Sequence, residues 1–263
     1  MEFLLECVGF SPQMDLDTIQ SRIRREGESV PYRGPGGEHL RAKLAAGVEL
    51  RLDLEEGDDI AQLFPYYDVK RRLRVRVRHL ASVPDSPFDA QLIGVANPPV
   101  PGESWVDSLE REDYVLSTYL TDARRLPPDL PEGHVLAVSV AGFALDVEHV
   151  GPEPGPVSSR LFESPDAASI QPLGELDAPG ASVELALVVR EVKHVTNPWS
   201  GQGFDILTVE APGRALELFI SRWQLEADGV PAPRPGWRIE GTFLFTGRIS
   251  GGLPQRRRAR STV

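Results

Sequence analysis

The chain has one cysteine, no long apolar run and an N-terminus without basic residues, and each shortage excludes a class of protein. A single cysteine, Cys7, cannot form an internal disulfide, and its place in an apolar run predicts a buried thiol. No run approaches the roughly 18 apolar residues that a membrane-spanning helix needs. The first residues carry acids where a secretory leader carries basic residues. We therefore expect a cytoplasmic protein that does not bind membranes.

Basic residues are outnumbered by acidic ones, 28 against 39, which gives a formal net charge of -11. A field of that sign repels nucleic-acid backbones and acidic membranes, so wholesale binding of either is not expected. A local basic strip is still allowed. Aromatic residues are also few, with ten Phe and five Tyr, whereas proline and glycine reach 24 each. That balance is typical of a β-rich chain with many turns.

The common sequence motifs of catalysis and metal binding do not occur. We find no G-x-S-x-G motif, P-loop, H-E-x-x-H motif or paired C-x-x-C motif. The five histidines are far apart, and none has a neighbour at the spacing of metal ligands. We therefore expect no catalytic residues, no metal site and no cofactor.

The region 182–251 has the clearest pattern of secondary structure. It predicts strands, a short helix and a final apolar strand, in this order: 183–192, 204–209, 215–221, helix 222–227 and 237–249. A similar order recurs earlier in the chain, with strands predicted at 73–80, 88–96, 114–120 and 134–147. Phe88 corresponds to Phe204 at an offset of 116 residues, and Gly133 to Gly236 at an offset of 103. Loops tolerate such differences in length, so the pattern predicts a tandem repeat.

Both copies resemble OB-fold modules. The resemblance rests on the strand order, on the helical interval at 222–227 after the third strand, and on the Pro235-Gly236 turn before the fourth. It covers about 72–251. It implies two five-stranded β-barrels that bind single-stranded nucleic acid, oligosaccharides or protein partners on the face of strands two and three.

The first 69 residues predict a small β-α-β-β-β unit. Its strands are expected at 3–10, 29–32, 39–44 and 48–54, with a helix that begins at Asp15 or Asp17 and ends at Gly27. The alternation in 48–54 predicts one solvated face and one buried face. The unit resembles one half of a vicinal oxygen chelate module. That family places metal ligands on its strands, and only His39 and Glu49 are available here.

The expected fold class is therefore α+β and mostly β. The predicted divisions are a small α+β domain at 1–69, a first OB-like barrel at 70–150, a Pro/Gly-rich linker at 151–180, a second OB-like barrel at 181–251 and a basic, disordered tail at 252–263.

Six residues are the candidates for ligand binding. Alternation along the strand at 73–80 places several arginines on one face, and two tryptophans are candidates for stacking against a ligand. The six are Arg72, Arg74, Arg76, Arg78, Trp199 and Trp223. The alternative is that the arginines form a solvated face and pair with acids such as Asp53, Glu55 and Asp68.

Three functions follow from these patterns. The first is a non-catalytic binding protein whose partner is another protein. The second is a single-stranded nucleic-acid binder that uses the arginines and Trp199. The third is a metal-dependent enzyme of the oxygen chelate type, built on the N-terminal unit. The sequence does not predict the oligomeric state.

Overall fold

Most of the chain forms two β-sheets, one of four strands and one of nine. The computed structural model describes residues 2–30, 37–54, 56–57, 61–68, 71–83, 86–99, 113–127, 130–161, 168–175 and 178–254. Within these residues the fold is α+β and mostly β, which confirms the predicted fold class. None of the helices described is long or apolar enough to cross a membrane.

The N-terminal unit is a four-stranded antiparallel sheet with two helical segments. The strands follow the order β1-β2-β3-β4. The elements are the 3-10 helix η1 (Glu2–Val8), α1 (Leu16–Glu26), β1 (Glu28–Ser29), β2 (Glu38–Lys43), β3 (Val48–Leu54) and β4 (Gln62–Tyr67).

Helix α1 begins and ends as its sequence predicts. The Asp15 side chain accepts a hydrogen bond from the backbone N–H of Asp17, which satisfies one of the free donors in the first turn. Ile19 and Ile23 are one turn apart and both are buried. The N–H of Gly27 bonds to the carbonyl of Ile23 and closes the helix.

The prediction of a strand at residues 3 to 10 is wrong, because Glu2–Val8 form the helix η1. A short apolar run does not distinguish a strand from a buried helix. Leu4, Leu5, Cys7 and Val8 are all buried, and η1 packs against β4. The Cys7 thiol donates to the carbonyl of Ala144 at 3.0 Å. Cys7 is fully buried, which confirms the predicted buried thiol, and this burial raises its pKa to about 12.

Strand β3 has no solvated face, contrary to its alternating sequence. Glu49, Arg51 and Asp53 are all buried. The Arg51 guanidinium lies 4.2 Å from the centre of the Tyr66 ring and donates to the carbonyl of Thr121 at 3.4 Å. The polar side of β3 is therefore covered by other parts of the chain.

Eight of the remaining nine strands belong to a first unit, residues 71–151, and a second unit, residues 178–254. The first unit contains β5 (Leu73–Val83), β6 (Ser86–Ala96), β7 (Tyr114–Leu120), the 3-10 helix η2 (Ala123–Arg125) and β8 (Val135–Gly151). Between the units lie α2 (Pro156–Leu161) and β9 (Ser169–Glu175). The second unit contains β10 (Ala178–Thr196), β11 (Gly203–Glu210), β12 (Leu216–Ser221), α3 (Arg222–Ala227) and β13 (Arg238–Gly251).

The two units share their longest strands. In the first unit, hydrogen-bonded pairs close a ring in the order β5-β6-β7-β13-β8, and β7 and β13 are parallel. In the second unit the ring is β10-β11-β12-β8-β13, and β12 and β8 are parallel. Each unit thus supplies four strands of its own ring and one of the other. The boundary between the predicted domains stays a prediction, since the strands on its two sides are paired.

The two units also match in a local irregularity. The β5–β6 register shifts after Val77, and the β10–β11 register shifts after Val189. Val77 accepts from the N–H of Gly133, and Val189 accepts from the N–H of Gly236, at 2.8 and 2.7 Å. Both glycines have positive φ, 81° and 85°. The correspondence between Gly133 and Gly236 is one of those on which the predicted repeat rests.

The segment predicted to be a linker contains α2 and β9, so it is more ordered than its composition indicates. The buried carboxylate of Glu240 accepts from the backbone N–H groups of Gly155, Val157 and Ser158 and fixes the start of α2. Strand β9 pairs antiparallel with β10. The predicted tail lies outside the described residues from 255 onward.

Candidate functional site

The candidate site is the outward side of β5. Leu73, Val75 and Val77 are buried, whereas the arginines between and beside them are exposed or half-buried. Side chains alternate between the two sides of a strand, so one side of β5 joins the core and the other carries the cations. We call four exposed or half-buried arginines the arginine face: Arg74 and Arg76 on that side, Arg72 just before β5, and Arg78 at the register shift that follows Val77.

Among the described residues, no carboxylate forms an ion pair with the arginine face. Asp53, one of the acids expected to neutralise it, lies 2.9 Å from the Nδ1 atom of buried His39. Asp68, another, lies 3.7 Å from Arg248. Glu55 is outside the described residues. The adjacent Arg71 does have a partner, Glu217, at 2.8 Å.

A hydrogen bond to the backbone holds one side chain of the arginine face. Arg74 Nη1 donates to the carbonyl of Pro98 at 3.4 Å. At the other end of the face, Arg76 and Arg78 line an open cleft of about 420 Å³ together with Glu132 and Gly133. The guanidinium groups are therefore presented at the surface beside a cleft.

An aliphatic side chain lies on the same side of the sheet. Arg76 is directly opposite Val95 in the β5–β6 ladder, and Val95 is directly opposite Val115 in the β6–β7 ladder. Residues opposite each other in a ladder point to the same side. Val115 is 37% exposed, so the surface combines cations with an exposed aliphatic group.

Trp199 is half-buried and packs against the N-terminal unit. Its ring lies edge-on to Phe10, with 6.5 Å between centroids, and the Arg22 guanidinium lies 4.4 Å from its centre. Asn197 and Ser200 of the same turn bond to the backbone carbonyls of Val8 and Gly9. The turn therefore fastens the second unit to the N-terminal unit.

Trp223 is also part of the packing. It lies in the first turn of α3 and is half-buried. Its indole Nε1 is buried and has no hydrogen-bond partner among the described residues. Within the described residues, no hydrogen bond or ring contact joins either tryptophan to the arginine face.

In both units, the second and third strands are covered by another segment of the chain. The β9–β10 hairpin lies against β6 and β7, and Ser117 of β7 donates to the carbonyl of Gly180 at 2.8 Å. Helix η1 packs against β11 and β12, and the Tyr67 ring lies 4.7 Å from the ring of Phe219. The face that the OB resemblance implies for ligands is therefore occupied by the chain itself.

The two metal-ligand candidates of the N-terminal unit lie apart. His39 is opposite Asp53 in the β2–β3 ladder, whereas Glu49 is opposite Lys43. The two therefore lie four positions apart along the ladder, about 13 Å at the usual rise. Within the described residues, no group of three or more His, Cys, Asp or Glu side chains is placed to hold a metal ion.

Sequence reasoning missed two residues at the edge of the site. Arg214, in the turn between β11 and β12, donates from Nη1 to the carbonyl of Arg72 at 2.9 Å. Asn97, at the end of β6, donates to the carbonyl of Pro212 in the same turn, also at 2.9 Å. The sequence signals only a turn here, because the contact joins residues more than 100 positions apart.

The fold and the site together define an α+β, mostly β protein with an arginine-bearing strand at its surface. Searches against known protein families, curated proteins and solved structures find nothing that matches the chain. The function is therefore argued from the site.

Proposed function

We propose that this protein is a non-catalytic binding protein that holds an acidic segment of a partner protein on the arginine face. The observation that carries the proposal is a row of surface arginines that form no ion pair with a carboxylate of the described residues, in a chain of net charge -11. An acidic chain with such a row uses local charge complementarity to select its partner.

A protein partner is favoured over a nucleic acid by the groups around the arginines. Binding of a single strand relies on aromatic rings that stack on the bases. Trp199 and Trp223 are engaged in packing, whereas Val115, two strands from Arg76 with the buried Val95 between them, is an exposed aliphatic group on the same side of the sheet. Arginine with aliphatic surface suits a polypeptide that carries both acidic and apolar side chains.

The two rings are proposed to be OB-like modules arranged as a tandem repeat. Support comes from the matching strand order, from the helical segment after the third strand of each unit and from the matched glycine turns before the fourth. The fifth strand of each ring comes from the other unit. We also propose a cytoplasmic location, because the single cysteine is free and disulfides are rare in reducing compartments.

The proposal is tested by the binding of labelled hexaglutamate, measured by fluorescence anisotropy at low ionic strength, where surface charges are little screened. The change of Arg74, Arg76 and Arg78 to Glu should weaken binding about tenfold or more, because three attractive contacts become repulsive. The control changes three exposed cations elsewhere, Arg25, Lys43 and Lys193, to Glu, and so matches the change in net charge.

Two results would overturn the proposal. One is a wild-type protein that does not bind the peptide, or that binds it as well as the triple variant does. The other is tighter binding of an oligothymidylate that is lost in the triple variant, which would identify a single-stranded nucleic acid as the ligand.

A further inference from the structure

A second cavity lies next to the arginine face, in the second unit. It has a volume of about 430 Å³ and is bounded by β10 and the turn between β11 and β12. Its lining includes two arginines, one glutamate and small apolar residues, among them Ala168, Val188, Arg190, Glu210, Arg214 and Ala215.

The cavity is joined to the arginine face by hydrogen bonds between the two units. Arg214, which lines the cavity, donates to the carbonyl of Arg72, the first residue of the face. Asn97 holds the same turn through the carbonyl of Pro212. One cation of the cavity lining therefore lies beside the backbone at the first residue of the arginine face.

The charges in the cavity leave one cation available. Arg190 is paired with Glu210, with 2.7 Å between Nε and Oε1. Arg214 is exposed and forms no ion pair with a carboxylate of the described residues. Beside it, Val188 and Ala215 offer small aliphatic walls. A carboxylate on a short aliphatic stem fits this chemistry, with its charge on Arg214 and its stem against the walls.

We infer that the cavity binds a carboxylate at one end of the acidic segment whose remainder lies on the arginine face. The inference rests on the proposed function and adds an anchor to it. From Arg78 to Arg72 the face extends about 20 Å, at the usual rise of a strand. An extended peptide of six residues covers that length. A peptide that also reaches the cavity must be longer.

The test compares labelled peptides of six and twelve residues that are rich in glutamate. The longer peptide should bind wild-type protein about three- to tenfold more tightly, because it adds contacts in the cavity. Two variants should remove that gain, and the one that keeps Arg214 should also leave the affinity for the short peptide unchanged. Arg214→Ala removes the cation, and Ala215→Leu fills the cavity while keeping the cation.

Control measurements distinguish an effect of the cavity from a general effect of lost charge or lost stability. Lys193→Ala removes an exposed cation from β10 that does not line the cavity, and should leave the affinities for both peptides unchanged. Thermal unfolding of each variant shows that it is folded. Twelve-residue peptides with a free or an amidated C-terminus distinguish a terminal carboxylate from one on a side chain, since amidation lowers affinity only in the first case.

The outcomes distinguish this inference from the proposal on which it rests. If the short peptide binds and both cavity variants keep the full gain of the long one, the cavity is not the anchor and the arginine face stands. If neither peptide binds, both ideas are wrong. A gain that Arg214→Ala removes but Ala215→Leu does not would assign Arg214 to the surface and overturn the cavity.

Discussion

Gly142 lies directly opposite Phe245 in the ladder between β8 and β13. The offset of 103 residues that relates Gly133 to Gly236 also relates Gly142 to Phe245. The pair therefore lies at the point where the two units meet. A side chain at position 142 would have little room, because a Cβ there would be 2.6 Å from Leu218 Cδ2 and 2.8 Å from Phe245 Cε1.

Gly142→Ala should lower the free energy of unfolding by about 1–3 kcal/mol, the usual cost of overpacking a core. Chemical denaturation measures it. Gly251→Ala is the matched control, since a Cβ at position 251 would meet Ala137 Cβ at an ordinary 3.6 Å. Equal stability of the two variants would contradict the close approach at the join.

The shared strands predict that the two units unfold together. Leu92 is fully buried in the first unit, and Leu92→Ala should cost about 2–5 kcal/mol. In a Trp105→Phe background, tryptophan fluorescence reports on the second unit, from Trp199, Trp223 and Trp237. We expect Leu92→Ala to shift the midpoint of this signal and of the far-ultraviolet circular dichroism equally. A fluorescence midpoint that does not move would show that the second unit is independent.

Glu240 should contribute a pH-dependent part of the stability. Burial raises the pKa of its carboxyl, but the hydrogen bonds from Ser158 and Gly155 and the nearby Arg238 outweigh burial and hold the pKa below the usual 4.5. A group with a lowered pKa stabilises the fold above its unfolded value, and this contribution is lost as the pH falls through the folded value.

We therefore expect Glu240→Gln to cost about 1.5–3 kcal/mol at neutral pH, because hydrogen bonds to a charged acceptor are lost. The difference from wild type should shrink as the pH falls below about 4.5. Thermal unfolding across this range measures it. Glu226→Gln, at an exposed position in α3, should change little at any pH. A cost for Glu240→Gln that does not vary with pH would contradict the assigned charge.

Glu217 should have the opposite pH dependence. Burial raises the pKa of its carboxyl more than Arg71 lowers it, and its Oε2 atom has no hydrogen-bond partner among the described residues. An acid with a raised pKa favours the folded state while it is protonated, and this contribution is lost as the pH rises through the folded value.

Glu217→Gln should therefore raise the melting temperature at neutral pH, because it removes a poorly solvated charge. The gain should disappear in acid, where the wild-type carboxyl is already neutral. The matched control is Glu210→Gln, in an exposed pair with Arg190. A lower melting temperature for Glu217→Gln at neutral pH would show that the ion pair with Arg71 outweighs the burial.

Local pattern predicted the strands of the second unit and the helix at Arg222–Ala227 closely, because period-two alternation and turn residues are local signals. The same method failed at residues 3–10, where the apolar run has no periodicity strong enough to separate a strand from a buried helix. It also assigned a solvated face to β3. Arg51 and Asp53 are polar, yet the packing of the N-terminal unit against the rest of the chain buries them.

The candidate site could also be predicted only in part from the sequence. That Arg74 and Arg76 share one side of β5 could be predicted, because alternation in a single strand fixes which side chains share a side. Trp199 was a candidate for ligand binding because it lies in a turn. Its partners in the structure, Phe10 and Arg22, are more than 170 residues away in sequence, and no local pattern could show them.

The sequence by itself determined that the chain is mostly β and that arginines alternate with apolar residues along one strand. Each of these depends on residues close together in the chain. Only the tertiary structure decided that β8 and β13 serve both rings, that the chain covers the second and third strands of each unit, and that Arg214 adjoins Arg72. These depend on pairings between distant segments, which are selected by the burial of the whole core.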